Sequence, residues 1–130
     1  DAAPAVRAQK KIEKEFEKRD QEMQRLAKQL QTMQEALEKN AVTMSESEKR
    51  NKEREFSDLN RDFQRKQREF REDLNQRRNE ELASILERAN KAIKSIAEAE
   101  KFDVILQEAA YVAPRVDITD KVIKAMADGK

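Results

Sequence analysis

The chain has 130 residues, 42% of them charged and 37% hydrophobic, with 28 basic against 27 acidic side chains and a net charge of +1. Ordinary globular domains are about 25% charged and about 45–50% apolar, so this composition excludes a large compact core within its one-domain length. With no His, no Cys and a single Gly, Gly129, the chain lacks imidazole bases, thiol nucleophiles, disulfides, the commonest metal ligands and glycine-rich phosphate loops.

Residues 1–8 form a lead-in of small residues, with Pro4 tolerable in a first helical turn. From Gln9 the positions spaced alternately three and four apart are Gln9, Ile12, Phe16, Arg19, Met23, Leu26, Leu30, Met33, Leu37 and Asn40, and seven of these ten are apolar. Nearly everything between them is Lys, Arg, Glu or Gln. Apolar residues at that spacing make one narrow seam, which needs a second helix along its length. A first helix is predicted from about residue 5 to 40, about 54 Å long at 1.5 Å per residue.

The stretch 41–47 is the predicted tip. Asn40 is expected to take the left-handed position that ends a helix. Ser45 with Glu48 reads as a capping box for the next helix, in competition with Thr43 and Glu46. The seam resumes with Phe56, Leu59, Phe63 and Phe70, then steps by four to Leu74, a stutter that locally unwinds a supercoil. Arg19, Lys66 and Asp73 interrupt it and are expected to let the hairpin bend. From Leu82 the pattern broadens to Ile85, Leu86, Ala89, Ile93 and Ile96, ending near Ala99. Folding the chain at about residue 43 pairs Ala5 with about Leu82, so 85–99 extends past the first helix and needs cover from elsewhere.

After Glu100 the period changes. Phe102, Val104 and Leu106 alternate as in a strand, and Tyr111-Val112-Ala113 is predicted to return beside them before Pro114. Asp117-Ile118-Thr119-Asp120 then caps a short helix to about Ala127 whose apolar side is Ile118, Val122, Ile123 and Met126. A two-stranded hairpin alone is marginal in water, so residues 100–130 are expected to combine with further strands, from upstream or from sister subunits. The fold class read from the sequence is mostly α: a long antiparallel coiled-coil hairpin over residues 9–99, attached to a small β-rich module with a short C-terminal helix.

Three sets of residues carry the functional expectations. The stretch Arg61, Arg65, Lys66, Arg68, Arg71, Arg77 and Arg78, set against Asp62, Glu69, Glu72 and Asp73, has a local excess of +3. It reads as a solvated helix face or as a surface that attracts acidic polymers, anionic lipid headgroups or acidic proteins. Phe56, Phe63 and Phe70 with Met23, Met33 and Met44 either zip the two helices together or touch non-native chains, Met44 at the tip being the foremost candidate for exposure. Ile93, Ile96, Phe102, Val104, Leu106, Tyr111, Ile118, Val122 and Ile123 are the expected association set. Adjacent carboxylates such as Glu72 and Asp73 lie on a solvated helix with nothing to desolvate one of them, so no enzymatic activity and no cofactor are expected. The near-neutral charge argues against a nucleic-acid partner. No run of about 18 apolar residues would cross a membrane as a helix, and the lack of Cys fits the periplasm and the cytosol equally.

The order of these features resembles the Skp (OmpH-like) periplasmic chaperone family. The resemblance rests on Phe63-Gln64-Arg65-Lys66 through Asn75-Gln76-Arg77-Arg78-Asn79-Glu80-Glu81 and on the ending Asp117-Ile118-Thr119-Asp120-Lys121-Val122-Ile123-Lys124. It implies a homotrimer in the periplasm of a Gram-negative bacterium, in which helical arms rise from a small β-rich body. It further implies that the arms hold unfolded outer-membrane proteins without ATP; anionic lipid or lipopolysaccharide is a candidate contact for the basic stretch named above. The family begins with an apolar strand and a short helix that have no counterpart before Gln9; the natural protein is expected to carry them, and they would cover 85–99. The near-neutral charge also departs from more basic relatives. A coiled-coil scaffold without clients and a cytosolic prefoldin-like chaperone are the rival readings.

Overall fold

The structure, a computed structural model, describes residues 3–128. Of the lead-in, Asp1 and Ala2 lie outside the described residues, as do Gly129 and Lys130 at the other end. Three α-helices follow in order: α1 (Ala3–Lys39), α2 (Glu46–Glu100) and α3 (Thr119–Asp128), with a 3-10 turn at Pro114–Val116. The chain is therefore mostly helical, with a long helical hairpin made by α1 and α2.

Local chemistry fixes the ends. Pro4 sits in the first turn of α1, where its missing N–H is one of the groups that lack an intrahelical partner anyway. At the other end the Asn40 carbonyl accepts the backbone N–H groups of Thr43 and Met44, each at 3.1 Å, and the Thr43 hydroxyl at 3.2 Å. Asn40 thus turns the chain as an acceptor. The expected left-handed conformation does not occur there, since among the described residues the non-glycine residue with positive φ is Lys101, at 59°. Ser45 wins the competition to cap α2: its hydroxyl accepts the Glu48 N–H at 3.2 Å, while the Thr43 hydroxyl is engaged behind it. Glu46 and Glu48 place negative charge in the first turn, against the helix dipole.

By density of contacts the chain divides into two compact units, Glu13–Gln76 and the pairing of Asp1–Ile12 with Arg77–Lys130. The first is a two-helix hairpin. Phe16, Leu26 and Leu30 of α1 are buried in it, with Met23, Met33 and Leu37 half-buried between and beyond them. Phe56, Leu59, Phe63, Phe70 and Leu74 of α2 are half-buried opposite.

The second unit joins the start of α1 to the later part of α2 and to α3. Lys11 reaches Glu81 across the two long helices at 3.4 Å. By the same antiparallel count Ala3 lies level with about residue 89, so the last three turns of α2 overhang. From the sequence, that overhang was expected to need cover from elsewhere. In the structure α3 folds back onto it: the Arg88 guanidinium donates to the Met126 carbonyl at 2.7 Å, and Lys121 pairs with Glu100 at 2.6 Å. Ile96 and Met126 are the buried residues of these elements.

The β-hairpin expected over 102–113 does not form; among the described residues there is no strand. Alternation supplies a face but not a partner, and a strand without an edge to pair with leaves its backbone to water. Phe102 is 40% exposed, Val104 and Leu106 72% each, and Tyr111 81%. The β-rich part of the sequence reading is therefore corrected to an irregular segment that carries its apolar side chains outward.

Candidate functional site

Within the hairpin Glu13–Gln76, the polar residues that break the apolar seam are tied across it. Phe16 and Phe70 meet edge to face, with centroids 5.6 Å apart and planes at 81°. The Arg19 guanidinium lies 5.3 Å from the first ring centroid and 5.6 Å from the second, and pairs with Asp73 at 2.9 Å. A cation against two aromatic rings and a carboxylate is well placed by its planar, delocalised charge. Lys66 reaches Glu22 at 3.0 Å, and that hydrogen bond, then its charge, holds the Glu22 carboxyl below its ordinary range. Arg19, Lys66 and Asp73 thus form a polar layer that links the helices where interruptions were expected.

Toward the turn the two helices enclose an open groove of about 800 Å³. Its floor is apolar: Met33, Ala36 and Leu37 of α1, Met44 of the turn and Leu59 of α2. The α2 wall carries Glu55, Asp58 and Asp62 against Lys52. Lys52 pairs with Glu55 at 3.7 Å and Arg65 with Asp62 at 2.8 Å; Asp58 makes no ion pair among the described residues.

The six client-contact candidates therefore divide. Met23, Phe56, Phe63 and Phe70 are half-buried in the seam, whereas Met33 and Met44 line the groove. Met44 is turned back into that groove, and the exposed apolar residue at the tip is Val42, at 96%. A two-residue difference around a turn cannot be read from spacing, because periodicity ends where the helix does.

The basic stretch divides too. In the hairpin, Arg61, Arg65 and Arg68 share one outward face of α2 by the 100° advance per residue, with Arg71 beside it, while Lys66 points to α1 and Glu22. In the other unit Arg77 donates to Glu80 at 3.2 Å and to Glu81 at 2.9 Å. Arg77, and after it Lys11, draws the Glu81 carboxyl below its ordinary range against the effect of burial. Arg78 is exposed.

In that same unit the association set falls into an inner and an outer part. Ile96 is buried, and Ile93, Ile118, Val122 and Ile123 are half-buried. Phe102, Val104, Leu106 and Tyr111 are exposed, joined by Val112, Val116, Leu82 and Leu86. Asp117 caps α3 by accepting the Thr119 hydroxyl at 2.6 Å and its N–H at 3.0 Å, which keeps the Asp117 carboxyl below the ordinary aspartate range. Arg88 was not singled out from the sequence. Its signal was there: a cation one position from Ala89 on the apolar side of α2 needs an acceptor, and the end of α3 offers a carbonyl.

Among the described residues no helix is long and apolar enough to cross a membrane, and no cluster of acidic side chains is arranged to hold a metal ion. The sequence profile of the family described as outer membrane protein (OmpH-like) matches residues 1–126. No curated protein and no solved structure matches the chain.

Proposed function

The chain belongs to the OmpH-like family, and from that premise we propose that it is an ATP-independent holdase chaperone of the Gram-negative periplasm. Its clients are unfolded outer-membrane proteins, and its working form is a homotrimer. The observation that carries this reading is the family match, which spans the hairpin, the irregular segment and α3 up to Met126.

The irregular segment and α3 supply the association surface. Exposed apolar residues close together in a chain this polar suit a surface that another protein covers, and Phe102, Val104, Leu106 and Tyr111 are such residues. Ile93, Ile96, Ile118, Val122 and Ile123 support it from the side already packed in one chain. Three copies joined there present three helical hairpins to one client.

Client contacts are many and individually weak. Met33 and Met44 offer adaptable apolar surface, and Met23, Phe56, Phe63 and Phe70 add to it when the seam opens. Linking several weak contacts through one trimer raises the overall hold without slowing any single release. A client therefore leaves when folding in the membrane offers a lower free energy, with no nucleotide needed. Arg61, Arg65, Arg68 and Arg71 form the face that attracts anionic lipid or lipopolysaccharide, with a reach of about 8 Å at physiological salt; Lys66 is turned to Glu22, and Arg77 and Arg78 lie in the other unit. No nucleic acid takes part.

The test is dilution of a urea-unfolded outer-membrane β-barrel into buffer with and without this protein, in the absence of nucleotide, followed by light scattering. The expected result is a client kept soluble at a few chains per client. A client that aggregates at the same rate in both samples overturns the proposal and leaves a scaffold without clients.

A further inference from the structure

We infer that the groove beside the turn of the hairpin is a discrete binding site for short polypeptide segments in which apolar side chains are flanked by Lys or Arg. The inference rests on the chaperone reading and names the class of segment that this part of the chain receives.

The groove is built for such a segment from two sides. Met33, Ala36, Leu37, Met44 and Leu59 make an apolar floor, in a volume of about 800 Å³ that lies within the range of cavities that bury whole ligands. Its α1 side runs from Gln29 to Asn40, about 16 Å at 1.5 Å per residue, which matches about five residues of extended chain. Two of its residues are methionines, whose flexible thioethers adapt to differing side chains.

The wall decides the sign of the occupant. Glu55 and Asp62 are each shared with a cation of the same helix, whereas Asp58 has no such partner among the described residues. Three carboxylates against Lys52 and Arg65 leave one negative charge, that of Asp58, along one edge of an apolar floor, and it favours a cation whose stem lies over apolar surface, which is how Lys and Arg side chains snorkel. By its sign it disfavours an anionic segment and an anionic lipid surface. Strands of outer-membrane barrels alternate apolar with polar residues, so an unfolded one offers many such segments, and the groove selects those with basic flanks.

The four methionines give an internal control. Met33 and Met44 line the groove; Met23 is in the seam and Met126 is buried in the other unit. The experiment uses the full chain with carbon-13 methionine methyl labels and a fluorescein-labelled peptide alternating leucine and lysine, beside the same peptide with glutamate for lysine. The expected result is saturable movement of the Met33 and Met44 methyl signals with the lysine peptide, while Met23 and Met126 stay in place. Asp58→Lys weakens the lysine peptide about fivefold at low ionic strength, and the difference shrinks as added salt shortens the Debye length to about 3 Å near 1 M. Ala36→Arg fills the floor and abolishes binding, with helicity by circular dichroism unchanged in both variants.

Equal binding of the glutamate peptide, equal movement of all four methyl signals, or no saturable movement overturns the inference. So does movement of Met33 and Met44 on raising the chain concentration alone, which would make a second copy the occupant. The barrel-dilution assay, run in parallel, separates the two claims. A soluble client with silent Met33 and Met44 signals removes the groove and leaves the chaperone; an aggregating client with responding signals does the reverse.

Discussion

Lys101 ends α2 in a left-handed conformation, φ 59°, and the following Phe102 N–H returns to the Ala97 carbonyl at 2.9 Å. That bond from the second residue past the helix to its third-last turn residue is the Schellman pattern, whose left-handed position usually holds Gly. A side chain there costs about 1–2 kcal/mol relative to an unstrained position. Lys101→Gly is therefore expected to stabilise the end of α2 by about 0.5–1 kcal/mol, since part of the gain is offset by the freer unfolded chain. Thermal unfolding measures it, and an unchanged or lowered midpoint would contradict the geometry. Asp117 gives a second test. Its carboxyl is lowered by the Thr119 hydroxyl first and the Thr119 N–H second, so the folded chain favours the ionised form. The stabilisation of α3 is then fully present above the ordinary aspartate pKa of about 4 and is lost as pH falls through the lowered folded value. Compared with Asp117→Asn, the unmodified chain should lose α3 protection from hydrogen exchange as pH falls below about 4; parallel pH profiles for the two would contradict it. Neither position was fully legible beforehand. Asp117 was read as a cap from its sequence neighbours, but a left-handed residue was expected at Asn40, after the first helix, and none at Lys101 after the second. The Asn40 carbonyl instead collects the donors of the turn.

At the scale of elements, the hairpin was legible because one narrow stripe at three-and-four spacing can be satisfied only by another helix. The positions read as breaks in the seam carry pairs between the two helices. Arg19 and Lys66 cross the seam to Asp73 and Glu22, and a polar layer of that kind fixes register at some expense of stability. Two substitutions separate the contributions. Arg19→Ala removes a part-exposed ion pair and the contacts with Phe16 and Phe70, a loss of about 1 kcal/mol. Arg19→Leu restores an apolar seam and is expected to leave the hairpin as stable as before or more so, with less defined pairing. Denaturant unfolding measures the first effect and cross-linking of cysteines placed on α1 and α2 reads the second. A marked loss of stability in the Leu variant would contradict a register role. Leu26→Ala is the reference for an ordinary seam residue: Leu26 is 5% exposed, and burial of that degree predicts a loss of about 2–4 kcal/mol. α3 was legible as a helix yet its docking was not, because Arg88 and Met126 are 38 residues apart and no local period links them.

At the scale of the whole molecule, the segment 102–116 is where the sequence reading and the single chain part. The alternating pattern is present, but strands require partner edges that one chain does not provide, so the apolar side chains stay exposed. That exposure is the reason the account requires sister copies. Val104→Ala or Leu106→Ala, each at a residue 72% exposed, should leave the helicity of a single chain unaltered while shifting it from trimer to monomer at micromolar concentration. Light scattering reads the mass and circular dichroism the helicity, and an intact trimer in both variants would refute the association surface. The central claim is that three such chains together retain one unfolded outer-membrane protein. Native mass spectrometry of the chain mixed with a urea-diluted β-barrel tests it most directly. The expected result is a complex of three chains and one client that forms without nucleotide; a client carried by a lone chain, or trimers that remain empty, would overturn the claim.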